Sequence, residues 1–289
     1  MRAQSAMEYL MTYGWAILII AIVLVALFSL GVFNSANFAP RAQPGSCQVI
    51  RTAAQVSLAG QCNGMLPEYV AEFNGADTTN ILITASFPTQ PISATAWIYL
   101  NQTINNNDAV IFSNGQYDWA SGISWQLAIC SMYVCAETPN VNTGSISSSE
   151  QISPNAWTFV AVTIYPSGTG SEYSFYSNKN SQTLSYNSPD ANTQGLSYIG
   201  TGFYNNPMVQ FEEFPGKISN IQIYNTSLSA NDVQALYQEG IGGAPIKINN
   251  LVGWWPLNGN ANDYSGNGND GTATNVIYTS AWTSGYSTP

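Results

Sequence analysis

From residue 69 to residue 224 the apolar residues come in runs of a handful, and nearly every run is closed by Gly, Pro, Asn or Ser. YVAEFNG (69–75), SATAWIYL (93–100), AVIFSNG (109–115), SWQLAIC (124–130), WTFVAVTIY (157–165), EYSFYS (172–177) and LSYIGTG (196–202) are the clearest. Runs of this length suit strands rather than helices, and their regular recurrence between turn residues predicts two packed sheets. In KISNIQIYN (217–225) the alternation places Ile221 and Ile223 on one face and Asn220 and Gln222 on the other. One helix interrupts the pattern. Ser229 stands where a cap belongs, Asp232 follows three residues later as in a capping box, and Val233, Leu236 and Tyr237 form an apolar stripe that ends at Gly240.

Composition narrows the chemistry open to such a sandwich. The 289 residues include no histidine, so Ser/His and Cys/His nucleophile pairs, His-ligated zinc and HExxH metalloproteases are all excluded. Six Lys and Arg stand against sixteen Asp and Glu, a net charge of −10, which argues against nucleic acid as a partner. Only 8% of residues are charged while 45% are hydrophobic. A core can be buried, and the surface must be wetted by Asn, Ser, Thr, Gln and Gly, as suits an extracellular protein.

Ahead of the strands, GWAILIIAIVLVALFSLGVF (14–33) is an uncharged run of 20 residues. As a helix it covers roughly 30 Å, enough to span a bilayer. The run is too long for a secretory signal peptide and no A-x-A follows it. MRAQSAMEYL precedes it, and with Gln4 and Glu8 this resembles the class III signal peptide of archaeal type IV pilin-like proteins, departing from the pattern in the position of Ser5. The resemblance implies cleavage between Ala3 and Gln4 and a role for Glu8 in assembly. A carboxylate at the edge of an apolar helix asks for a partner, and the freed amino group of a neighbouring subunit is a suitable one. The other reading is a plain single-span anchor. Both put Arg2 inside and the chain beyond residue 34 outside.

The boundaries that follow are a leader at 1–3, a spanning helix at 4–33, a linker at 34–46 interrupted by Pro40, Pro44 and Gly45, a disulfide-bounded segment at 47–67 and a sandwich over 68–289. Four cysteines outside the cytosol permit disulfides in three connectivities, of which the sequence-local one, Cys47 with Cys62 and Cys130 with Cys135, is the expectation. A Cys-only metal site would need two close pairs, and only the second pair is close.

Four segments, YVAEFNG (69–75), AWTFVAVTIY (156–165), PGKISNIQIYNTSLSANDVQALYQEG (215–240) and GWWPLNGNANDYSGNGNDGT (253–272), together resemble the laminin G-like, concanavalin A-like jelly-roll family over residues 68–275. The resemblance implies an all-β jelly-roll sandwich with one short helix, here preceded by an N-terminal transmembrane α-helix. In the usual family order the WWPLNG element comes first, whereas here it comes last. Circular permutation is the simplest account, with Trp255 and Leu257 packing into the same core. Donation of this strand to a neighbouring subunit is the alternative.

Several residues are candidates for a site. Asp263, Asn267, Asn269 and Asp270, set among glycines, offer oxygens to a Ca2+ ion, or else hold a tight turn through backbone amides. Asn114, Tyr117, Asp118, Trp119 and Trp125 are candidates for an aromatic platform for a sugar ring, against which stands the ordinary use of aromatics in a core. Asn101 and Asn225 head N-glycosylation sequons. Catalysis is not expected. Glycosidases of this fold set two or three carboxylates at alternate positions of one strand, while here the only adjacent acids, Glu212 and Glu213, would point to opposite faces of an extended segment. The reading is a pilin-like, membrane-held structural and adhesive subunit whose partners are like subunits in a filament and surface glycans or proteins. A lectin that is anchored without polymerising is the alternative, and a glycoside hydrolase a distant one.

Overall fold

The computed structural model describes residues 13–25, 41–42, 46–62, 65–76, 78–85, 87, 92–105, 108–115, 125–137, 145–167, 170–186, 196–205 and 208–289. The chain divides into two compact units, Met1–Pro40 and Arg41–Pro289. In the first, residues 13–25 form a helix whose apolar side chains are exposed, Trp15 at 66% and Val25 at 69% among them. Among the described residues no helix is long and apolar enough to cross a membrane. Ala3, Gln4 and Glu8 lie outside the described residues, as does the second part of the apolar run.

The second unit is a sandwich of two antiparallel sheets. One has seven strands in the order Ser145–Gln151, Tyr133–Glu137, Trp125–Cys130, Asp108–Asn114, Ser197–Ile199, Asn80–Ile83, Gly271–Thr274. The other has eight, in the order Asn180–Tyr186, Gly170–Ser177, Trp157–Ser167, Ile92–Leu100, Pro215–Tyr224, Val70–Asn74, Ile277–Thr279, with Leu251–Trp255 also paired to Pro215–Tyr224. Ile111, Leu127, Ile129 and Ile199 of the first sheet meet Ile98, Val160, Val162 and Ile218 of the second in one buried cluster. Each such side chain, fully buried, contributes roughly 1.5–3 kcal/mol.

The central strand Ile92–Leu100 is buried on both faces, because the second sheet carries a cover. Ala94, Ala96 and Ile98 point into the cluster, while Trp97 stacks on Tyr237 of the helix Ala230–Glu239 at 5.8 Å and meets Tyr286 edge-on at 5.6 Å. The helix begins as expected: Ser229 accepts from the Asp232 backbone N–H, and the Asp232 carboxylate accepts from the Ser229 N–H at 2.9 Å. Lys247 completes the arrangement with an ion pair to Asp232 at 2.8 Å.

Ile221 and Ile223 face the core and Asn220 and Gln222 the other side, but that side is not solvent. Asn220 donates to Gly243 O at 2.8 Å and accepts from the Trp254 indole at 2.8 Å. It also has φ +52°, within a break in register between Ser219 and Gln222. That bulge lets Ile218 and Ile221, three residues apart, enter the same core.

The C-terminal segment completes this sandwich from within the chain. Leu251–Trp255 pairs with Pro215–Tyr224, Gly271–Thr274 with Asn80–Ile83, and Ile277–Thr279 with Val70–Asn74. Trp255 and Leu257 are fully buried in the common core. Both local disulfides are present. Cys47–Cys62 closes the hairpin of Cys47–Arg51 and Val56–Gly60, and Cys130–Cys135 ties a hairpin whose two turn residues, Ser131 and Met132, both have positive φ. Arg51 fastens the first hairpin to the C-terminal segment, donating to the carbonyls of Ser265, Ile248 and Leu251 at 2.9, 3.0 and 2.6 Å.

Candidate functional site

A cavity of about 440 Å³ lies where three segments far apart in sequence converge. Gln102, Thr103, Ile104 and Asn105 follow the strand Ile92–Leu100, and Asp108 opens the next strand. Glu212, Glu213 and Pro215 lead into Pro215–Tyr224, and Gly75 closes the turn after Val70–Asn74. The volume falls within the range of small-molecule pockets.

Its walls are held by backbone bonds. Asn101 N–H donates to Pro215 O at 3.0 Å, Val110 N–H to Glu212 O at 2.9 Å, and Phe214 N–H to Gly200 O at 2.9 Å. Ser131 Oγ donates to Asn105 O at 3.2 Å, tying the 102–105 loop to the disulfide hairpin. Gly75 has φ +69°, and a Cβ there would lie 3.0 Å from the Pro215 side chain, so this turn is a glycine position on two counts.

Glu212 and Glu213 correct the sequence reading. Glu212 has φ +57°, the segment is not extended there, and both acids line the same cavity. With Asp108 they make three carboxylate residues around one space, and among the described residues no Lys or Arg lines it. Burial pushes the Glu212 carboxyl up to about 8, with the neighbouring negative charges of Asp108 and Glu213 acting in the same direction. The Gln126 amide, donating to Glu212 Oε2 at 3.4 Å, opposes the shift. At neutral pH this carboxyl therefore holds its proton and can donate as well as accept. Among the described residues no three Asp, Glu or Cys side chains are grouped closely enough to hold one metal ion.

The other candidates take different places. Asn114 is fully buried, its amide bonded in both directions to the backbone of Phe87, at 2.9 Å from N–H and 2.8 Å to O. Trp125, 1% exposed, stacks on Phe112 at 5.4 Å. Both side chains are engaged inside the sandwich, and Tyr117, Asp118 and Trp119 lie outside the described residues. In the glycine-rich turn, Asp263 Oδ1 accepts from the backbone of Trp254 and Ser265, and Oδ2 accepts from Ser265 Oγ and Asn269 N–H, at 2.8–3.0 Å. Asp270 accepts from Asp263 N–H at 2.8 Å. Asn267 and Asn269 donate to the carbonyls of Leu251 and Val252. These side chains bind the backbone of the turn and of the strand Leu251–Trp255 before it.

The two sequons differ. Asn101 and Thr103 are exposed, and Thr103 lines the cavity. Asn225 accepts from the Asn250 amide at 3.1 Å, and the Ser227 hydroxyl is bonded to Ile164 O at 3.0 Å. Sequence reasoning did not bring Gln102, Asn105, Asp108, Glu212 and Glu213 together. The available signal was the pair of adjacent acids before Pro215-Gly216 in a chain poor in charge.

Residues 74–234 match the family profile described as the concanavalin A-like lectin/glucanases superfamily. No curated protein sequence matches. Among solved structures, the native heptameric SAP-like pentraxin from Limulus polyphemus aligns with a TM-score of 0.52 and 15% identity, covering 73% of this chain and 94% of the pentraxin. A Bacteroides ovatus protein described as a candidate carbohydrate binding protein aligns with a TM-score of 0.52 and 16% identity, covering 78% of this chain and 66% of that one. At these identities the likeness is one of fold.

Proposed function

The chain belongs to the concanavalin A-like lectin/glucanases superfamily, and from that membership and the cavity at Glu212 we propose that it is a carbohydrate-binding domain displayed at a cell surface. One observation carries the reading: a preformed polar cavity of about 440 Å³, built on strand ends and lined by hydroxyl, amide and carboxyl groups beside Ile104 and Pro215. Sugars present hydroxyls at their edges and C–H groups on their faces, and this lining suits both. The role is binding without turnover. Support for it comes from the same quarter, since the Bacteroides ovatus likeness is described by carbohydrate binding. A glycan array probed with the full chain, followed by hydrogen exchange with the best ligand, tests it. The expected result is saturable binding with protection at residues 102–105 and 212–215 and an unchanged glycan mass. Protection confined to other segments, or cleavage of the glycan, refutes it.

The manner of display belongs to the same proposal. The uncharged run 14–33, exposed where it is described as a helix, anchors the chain in a membrane, and the segment around Gln4 and Glu8 is a class III, pilin-type processing site. Filament assembly through Glu8 then sets the sandwiches, permuted with respect to the usual family order, outward. Intact-mass and N-terminal analysis of the protein from native surface fractions is the test. A chain beginning at Gln4 supports the filament subunit, and one beginning at Met1 refutes it in favour of the plain anchor.

A further inference from the structure

Among the described residues the charge around the cavity is one-sided. Asp108, Glu212 and Glu213 line the space. The basic residues described in the sandwich unit act elsewhere: Arg51 on three backbone carbonyls, Lys217 on Ala281 O and the Tyr99 ring, Lys247 on Asp232, and Lys179 in the turn between two strands. The countercharge is therefore left for the ligand to bring. We propose that the saccharide bound here carries a free, protonated amino group, a hexosamine unit in its unacetylated form, in preference to neutral or anionic sugars. This rests on the reading of the cavity as a saccharide site.

Three features favour a molecular cation over a metal ion. The carboxylates border a space large enough for a sugar ring without being grouped to coordinate one ion. A metal site of the calcium kind draws six or more oxygens to within about 2.6 Å of one point. Gln102, Thr103 and Asn105 add neutral groups that can exchange hydrogen bonds with hydroxyls, and Ile104 and Pro215 offer apolar surface to a ring face. An ammonium needs acceptors only, and carboxylates at the wall supply them. An anionic sugar, by contrast, would bring a further negative charge beside Asp108 and Glu213 into a partly desolvated space.

The proton on Glu212 gives the proposal its own signature. The empty site keeps Glu212 neutral through burial and the two neighbouring acids, and an ammonium reverses the second of these causes directly. Arrival of the cation therefore expels the proton to solvent. Complex formation releases up to one proton below the pKa of the empty site, and affinity rises toward tenfold per pH unit over the range where release occurs. A neutral sugar that accepts a hydrogen bond from the Glu212 carboxyl instead keeps the proton in place.

The test is isothermal titration of the full chain, with mild detergent and a chelator, using glucosamine oligomers, their N-acetylated counterparts and a uronic acid oligomer. Buffers of different ionisation heat report proton release, and working between about pH 5 and pH 6 keeps the sugar amine charged. The expected result is at least tenfold tighter binding of the free-amine oligomer than of its acetylated counterpart, no binding of the uronate, and release approaching one proton at pH 6. Glu212→Gln should abolish the release and erase most of the preference while still binding the acetylated oligomer. Should that variant fail to fold, the pH dependence of the unaltered chain decides the matter. Equal or tighter binding of the acetylated oligomer, or ammonium binding without proton release, overturns the amine preference and leaves a saccharide site standing. Failure of all three oligomers overturns the saccharide reading itself. Proton release on adding Ca2+ in a separate titration without chelator, with no difference between the sugars, overturns the amine preference in favour of a metal.

Discussion

Replacing Glu212 by glutamine should make the protein more stable, by a margin that grows as pH rises from about 5 to about 8. The carboxyl is buried against Asp108 and Glu213 and holds its proton up to about pH 8, whereas in the unfolded chain it ionises near 4.5. Between those limits the folded state carries a proton that the unfolded state has released. Stability contributed by the neutral carboxyl is thus fully present below the unfolded pKa and is lost as pH rises toward the folded one, at about 1.4 kcal/mol per pH unit. Over the whole window the loss is on the order of 5 kcal/mol, and the partial exposure of Glu212 makes this an upper figure. Glutamine fills the same volume, still meets the Gln126 amide through its oxygen, and never ionises. Urea denaturation of both proteins, disulfides intact, at pH 5, 6, 7, 8 and 9 gives the comparison. The variant and the parent should agree near pH 5 and diverge steadily up to about pH 8, the variant being the more stable. Parallel stability curves across that range would refute the idea that Glu212 is held neutral by its surroundings.

Other expectations rest on different parts of the molecule. Trp255→Ala should cost about 3–5 kcal/mol in the same denaturation assay, because the indole is fully buried, lies 5.8 Å from Phe87 and 6.0 Å from Phe112, and donates to Asn269 O. Ser229→Ala should cost about 0.5–1 kcal/mol through loss of the cap on the helix Ala230–Glu239. Arg51→Ala removes the donor shared by Ser265 O, Ile248 O and Leu251 O. Hydrogen exchange should then speed up across residues 47–60 while the amides of Ile92–Leu100 stay protected, and unchanged exchange at 47–60 would show that the hairpin is held by something else.

What could be read from the chain and what could not separates along a physical line. The helix cap, both disulfides and the strand runs are local: Ser229 and Asp232 are three residues apart, Cys130 and Cys135 five, and each pairing is fixed by geometry that a short window contains. The burial of Trp255 and Leu257 was legible too, through the resemblance of the WWPLNG segment to a core strand of the jelly-roll family. The cavity is different in kind. Asn105, Asp108 and Glu212 meet only because Val110 N–H reaches Glu212 O and Asn101 N–H reaches Pro215 O, contacts between segments about a hundred residues apart.

Asn114 and Trp125 show the converse. Their types, Asn and Trp near Gly and Asp, are those of a sugar platform, but the type of a side chain does not say which face of its strand is inward. Asn114 turned inward is used to satisfy the backbone of Phe87, where a buried amide closes two hydrogen bonds that would otherwise be lost. Glu212 could not be foreseen for a third reason. Alternation assigns adjacent residues to opposite faces only while the backbone stays extended, and a left-handed residue at 212 brings two neighbouring acids to one space. A non-glycine residue in that conformation costs about 1–2 kcal/mol, and here it gathers like charges that repel. Neither helps the fold, and an arrangement of that kind is the departure from local rules expected at a functional site.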